Sequence, residues 1–182
     1  MSCATTSTIT RLTPAAFDRS VPGLAALLAD TVAGGSSLGF TAPFDHEAAA
    51  AWWQTQRPAV ASGILDIWVA EAPEGVIGTI SLAHPHKPNA RHRAEIVKLL
   101  VHPAARGQGL GRTLLTTAEE SAARSGFRLL LLDTETDSAA DCLYRRAGWT
   151  PYGTVPAYAA DPGGELRDCT FFYKEMGGGC RF

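Results

Sequence analysis

The chain has 182 residues, 46% of them hydrophobic and 19% charged, with a formal net charge of −2. Those values predict a single soluble domain spanning residues 1–182, large enough for a good core. They give no reason to expect nucleic acid or an anionic membrane as partner, and no apolar run approaches the ~20 residues of a membrane span.

Residues 1–8 lack the basic start and apolar core of a secretion signal and read as a loose tail of a cytoplasmic protein. Residues 177–182, rich in glycine, read as the other tail. Cys3, Cys142, Cys169 and Cys180 form no C-x-x-C pair and read as reduced thiols. His84 and His86 flank a proline with no thiol nearby, so no metal site is expected.

Ile9 to Leu12 reads as a short strand, after which Thr13 caps a helix with Pro14 at its first position. Phe17, Leu24, Ala25, Leu27 and Leu28 carry that helix to about Val32, with an interruption expected near Pro22-Gly23. Gly34 to Phe40 reads as a flexible loop holding two exposed apolar residues. Asp45 caps a second helix, from Ala48 to about Ala61 and stopped by Gly63, in which one of Trp52 and Trp53 packs inward and the other walls a pocket.

Strands at about Ile64–Glu71 and Val76–His84 form a hairpin through Ala72-Pro73-Glu74-Gly75. A polar connection leads to a central strand, Ala94–Val101, and a helix follows from about Leu110 to Arg124, with Gly126 as its stop. Phe127 to Leu132 is an unbroken apolar run, as expected of a strand covered on both faces and paired parallel to the central strand. Asp137 or Ser138 caps a helix through Ala147, whose apolar positions Ala140, Leu143, Tyr144 and Ala147 keep helical spacing. The last strands are Trp149–Thr154 and Cys169–Glu175, with a long loop between them that contains Pro156 and Tyr158.

The stretch that carries chemistry joins the central strand to the helix after it. Gly107, Gly109 and Gly111 stand at alternate positions after Arg106, where a bare backbone can turn its amides inward. A helix N-terminus follows, so the bend suits a pyrophosphate. It is not a P-loop, because Arg112-Thr113 lacks the Lys, and its G-x-G-x-G spacing is not that of the dinucleotide fingerprint. It fills the pattern Arg/Gln-x-x-Gly-x-Gly/Ala with Arg106, Gly109 and Gly111.

On a strand–turn–helix, that pattern resembles the acetyl-coenzyme A signature of the GNAT family of N-acetyltransferases. The order of elements from Ile9 to Glu175 resembles the GNAT fold too: an α/β architecture with a mixed sheet of about seven strands and about four helices. Arg93 to Val101, Leu132-Asp133-Thr134-Glu135 and the Pro156-Ala157-Tyr158 region look most like the tabtoxin-resistance branch.

The resemblance implies direct attack of an amine on acetyl-CoA, with no acetyl-enzyme. Backbone amides from Gln108 through Gly109, Leu110 and Gly111 to Arg112 would hold the pyrophosphate beside Gly107, and Arg106 would add charge or brace the turn. The pantetheine arm would follow Leu99, Leu100 and Val101, with an amide near Leu100 or Val101 facing the thioester oxygen. Tyr144, four residues before Gly148-Trp149, stands where the family places its proton donor to the thiolate; Asp137 replaces the usual Asn, which puts one coenzyme contact in doubt.

Glu95 is the first choice of general base, since a carboxylate in an apolar strand needs a partner or water and desolvation raises its pKa. Asp133 would orient the ammonium or share its proton, and Phe40, Trp52 and Tyr158 would line the acceptor site with both carboxylates. The expected reaction is acetyl transfer to a small-molecule amine, of the kind found in antibiotic or toxin resistance. Acetylation of a protein N-terminus or lysine is the second reading, and a non-catalytic acetyl-CoA sensor the third. A monomer or a homodimer is compatible with this sequence.

Overall fold

The computed structural model describes residues 7–177. Seven strands form one sheet in the order β1-β2-β3-β4-β5-β7-β6. They are β1 (Thr8–Arg11), β2 (Leu65–Ala72), β3 (Gly75–Ala83), β4 (Arg93–Val101), β5 (Leu129–Glu135), β6 (Thr150–Ala160) and β7 (Leu166–Glu175). The helices are α1 (Pro14–Ala33), α2 (His46–Thr55), α3 (Arg57–Ala61), α4 (Leu110–Arg124) and α5 (Ala139–Arg146). Helices α4 and α5 bury one sheet face, through Leu114, Leu115, Ala118, Tyr144 and Ala147. Helices α1 to α3 cover the other, through Phe17, Leu24, Leu28, Trp53 and Val60.

Several local expectations give way to packing. Helix α1 runs unbroken through Pro22, because its buried stripe of Phe17, Val21, Leu24, Ala25, Leu27 and Leu28 holds both halves on the sheet. The expected second helix splits at Gln56 into α2 and α3, since Pro58 lacks the N–H that would continue the ladder. Ser138, not Asp137, caps α5, accepting from the Asp141 amide at 3.1 Å. Thr8, assigned to the tail, opens β1; the rest of that tail up to residue 6, residues 178–182, Cys3 and Cys180 lie outside the described residues.

The largest difference concerns the end of the chain. Most of the expected loop between the last strands is itself strand, and only Asp161–Glu165 turns. Strand β6 lies at the sheet edge, where prolines such as Pro151 and Pro156 are tolerated. A register shift between Val155 and Ala159, with Ala157 at φ 50°, absorbs the irregular stretch.

The Thr13 cap, whose side chain accepts from the Ala16 amide at 3.2 Å, is a modest contributor to stability. Thr13→Ala is expected to cost about 1 kcal/mol, read as a lower urea midpoint with unchanged slope.

Candidate active site

The strands β4 and β5 are the sheet's parallel pair, and they stay together only briefly. Their register runs Arg93↔Leu129, Ala94↔Leu130 and Glu95↔Leu131 and then stops, although β4 continues to Val101 and β5 to Glu135. The sheet therefore opens between them, and the far half of β4 has a free edge toward the gap. Leu130 and Leu132 of β5 face α4 and are buried, whereas Leu129 and Leu131 are half-buried. The expected coverage on both faces fails because the second face borders this gap.

A bulge in β4 decides what enters the gap. Opposite β3, Thr79 pairs with Leu100 and Ser81 with Val97, so Lys98 and Leu99 together face Ile80. Lys98 takes φ 54°, which is uncommon for a side chain of that size. Before the bulge Ala94 and Ile96 face α4; after it Leu99 and Val101 do, while Val97 and Leu100 face α1 and α2.

Glu95 and Asp133 share the face opposite α4. Glu95 is accessible to solvent and makes none of the described hydrogen bonds. Partial burial, then the negative charge of Asp133, raise its pKa above the usual carboxylate value, and Arg93 offsets part of this. Asp133 accepts a hydrogen bond from the Cys169 thiol at 3.3 Å, and burial together with the Asp133 charge pushes that thiol up to about 12.

Tyr144 comes from α5 on the other side of the sheet and packs against Trp149 and Phe172, with ring centroids 5.9 and 6.0 Å away. It is only 5% exposed. Burial first, and the Asp133 charge second, raise its pKa well above that of a free phenol.

Lys98 was absent from the sequence-predicted set, although a lone cation inside Ile96–Val101 gave the same signal as Glu95 in the same strand. Its Nζ donates to the Leu38 carbonyl at 2.8 Å and lies 5.2 Å from the ring centroids of both Phe40 and Trp52. Those rings meet edge to face at 5.4 Å, and Phe44 stacks on Phe40. Leu38 and Phe40 are thus half-buried rather than exposed. Trp53 is the inward tryptophan, its indole N–H bonded to the Leu24 carbonyl.

The same loop reaches the β6–β7 hairpin. The Ala42 amide donates to the Pro162 carbonyl at 2.9 Å, and Ser37 Oγ to the Ala160 carbonyl at 3.3 Å. Tyr158, half-exposed on β6, stands edge-on to Phe171, and Phe171 is the register partner of Asp133. Phe40, Trp52, Glu95, Asp133 and Tyr158 therefore border one region, with Tyr158 at its outer wall.

Past β4, a single 3-10 turn, Pro103–Ala105, leads into the glycine bend. Gly107 and Gly109 have φ of 74° and 84°, and Gly109 is the N-cap of α4 with no side-chain cap. None of the described backbone hydrogen bonds uses the amides of Gly107 to Arg112. Arg106 braces the bend, its Nε donating to the Val101 carbonyl at 3.1 Å. Gln108 does the same through the Ala104 carbonyl at 3.0 Å. The arrangement presents free donors at the positive end of a helix, which suits an anion. Among the described residues, no group of His, Cys, Asp and Glu is placed to hold a metal ion.

A family model described as an acetyltransferase (GNAT) domain matches residues 64–151, from β2 to the start of β6. An IAA acetyltransferase of Azospirillum brasilense is 38% identical over 69 residues, 37% of this chain and 45% of that protein. The chain thus spans less than half the length of that curated relative. A putative acetyltransferase of Salmonella typhimurium, solved with its cofactor acetyl-CoA, superposes with a TM-score of 0.74 at 22% identity, covering 96% of each chain. A ribosomal-protein-alanine N-acetyltransferase of Brucella melitensis does so with a TM-score of 0.71 at 28% identity, covering 92% of this chain and 99% of that one. The parting strands β4 and β5 and the glycine-lined helix start beside them, framed by the same fold over nearly the whole chain, lie within residues 64–151, the part of this protein that matches the GNAT acetyltransferase domain.

Proposed function

We propose that the chain is an acetyl-CoA-dependent N-acetyltransferase that passes the acetyl group directly to the amine of a small molecule. The observation that carries this reading is the row of free amides at the start of α4, lying directly beyond the strand that borders the gap. A diphosphate held there sends its pantetheine arm along the unpaired edge of Leu99, Leu100 and Val101. The fit rests on uncommitted donors rather than on side-chain charge, and the solved Salmonella relative carries acetyl-CoA.

Acetyl transfer to an amine requires proton removal, a donor for the tetrahedral oxyanion and a proton for the departing thiolate. Glu95, its pKa raised, takes the proton from the ammonium while Asp133 orients that group. A β4 amide near Leu100 or Val101 meets the developing oxyanion. Tyr144, held protonated by burial, supplies the proton to the thiolate.

The acceptor is argued from the loop. A peptide acceptor needs an open groove, and the hydrogen bonds from residues 37 and 42 to residues 160 and 162 bridge the walls of the region. That favours a small acceptor, including an antibiotic or toxin. The likeness to the Brucella ribosomal-protein-alanine enzyme favours a protein N-terminus as the second reading. A sensor has no need of the raised Glu95 and buried Tyr144. We also place the chain in the cytoplasm, a reading supported by the free thiols of Cys142 and Cys169.

Coenzyme A release measured with a panel of small amines and with N-terminal alanine peptides tests the proposal. Turnover with small amines, and none with peptides, is expected. The reverse pattern would transfer the function to protein acetylation.

A further inference from the structure

Beside the gap between β4 and β5 stands a cation that no described salt bridge neutralises. Lys98 is half-buried, yet none of the described ion pairs includes it. Its ammonium has three donors. One goes to the Leu38 carbonyl, and two aromatic faces flank the group. A carbonyl and two rings ease the loss of water, but they supply no countercharge.

Fastening the loop does not account for the backbone. With plain strand alternation after Ala94 and Ile96, residue 98 would point into the apolar layer beneath α4. The bulge, with its positive φ, delivers Lys98 to the opposite face, toward Phe40 and Trp52. That face also carries Glu95 and Asp133. The Asp133 charge is felt by both the Glu95 carboxylate and the Lys98 ammonium, whose pKa burial lowers and Asp133 partly restores. A neutral donor would hold the Leu38 carbonyl as well. What the strained backbone provides is a charge next to the acceptor region.

We propose that Lys98 binds an anionic group of the acceptor, so that the acceptors are amino acids whose amine lies against Glu95 and Asp133 and whose carboxylate meets Lys98. This rests on the N-acetyltransferase reading above. The Leu38 carbonyl and the rings of Phe40 and Trp52 flank the ammonium itself, which restricts the distance between amine and carboxylate.

The test compares each amino acid with its partner lacking the carboxylate: leucine with 3-methylbutylamine, phenylalanine with 2-phenylethylamine, β-alanine with ethylamine and 4-aminobutyrate with propylamine. The measured quantity is the ratio of kcat/KM within a pair. In the wild type at least one pair is expected to favour the acid by about 10-fold or more. Lys98→Met, which keeps an unbranched side chain without the charge, brings that ratio to about one; Lys98→Arg restores most of it. A loosened loop lowers both members of a pair together and leaves the ratio where it was.

A ratio near one in every wild-type pair, or a ratio that survives Lys98→Met, overturns the proposal. Calorimetric titration with acetyl-CoA separates this from the wider reading. Saturable heat with no turnover of any pair removes only the amino-acid assignment, whereas the absence of heat removes the transferase itself.

Discussion

Glu95→Gln lowers turnover at neutral pH by about 10²-fold or more, while acetyl-CoA still binds. Glu95 is solvent-accessible and engages no described hydrogen bond, so the amide fits without loss of a structural contact. On the proposed mechanism, what it removes is the carboxylate that accepts a proton from the incoming ammonium. Partial burial and the neighbouring Asp133 raise the pKa of this group, which makes its ionised form a better base than an exposed glutamate.

The sign of the pH dependence follows. Glu95 acts only when deprotonated, so kcat/KM rises as pH climbs through its raised pKa, and the acid limb lies above the usual carboxylate range. In Glu95→Gln that limb disappears. In Asp133→Asn the negative neighbour is gone, the pKa of Glu95 falls and the limb moves to lower pH. A Glu95→Gln profile that superposes on the wild type would take the base role from Glu95 and give it to Asp133.

The sequence made the pieces of this site visible wherever a local pattern exists. The glycine bend, the strand before it and the helix after it stand where their residues predict, because tight turns, caps and apolar runs are short-range properties. Glu95, Asp133 and Tyr144 were identifiable one by one, by chemistry and by family resemblance. What could not be read was their placement, Glu95 and Asp133 on one face of the sheet and Tyr144 on the other. The half-covered face of β5 depends on where β4 pairing stops, at Glu95↔Leu131, and the bulge at Lys98 follows on the β3 side of the same strand.

Lys98 itself was hidden by its surroundings, since Ile96 to Val101 reads as uniformly apolar once the eye accepts one charge. The β6–β7 hairpin failed for another reason. Prolines and exposed aromatics argue for a loop unless the strand is known to lie at an edge, and edge position is a property of the whole sheet. Tertiary context likewise overrode Pro22 in α1, where a buried stripe on both sides holds the helix together.

Gly109→Val weakens acetyl-CoA binding by about 10²-fold or more, because the free amides exist only while residue 109 keeps its left-handed backbone. Gly109 sits at φ 84° and ψ −4° as the N-cap of α4. A Cβ there meets nothing within 4 Å, so the cost is conformational and not a clash. A β-branched residue at that φ is a genuine outlier, and the left-handed form costs about 1–2 kcal/mol for an ordinary residue. The bend relaxes instead, and the amides of Leu110, Gly111 and Arg112 turn off their common target. Losing one or two charge-assisted hydrogen bonds, at about 1.5–3 kcal/mol each, gives the stated loss.

Gly126 supplies the control. It has the same φ of 84° and open space around a Cβ, but it follows the opposite end of α4. Gly126→Val therefore suffers the same backbone penalty and a comparable fall in melting temperature, without touching the bend. Calorimetric titration of both variants distinguishes a local cradle from general destabilisation. Equal weakening in the two would mean that affinity follows the stability of α4 as a whole, and that the bend holds no diphosphate of its own.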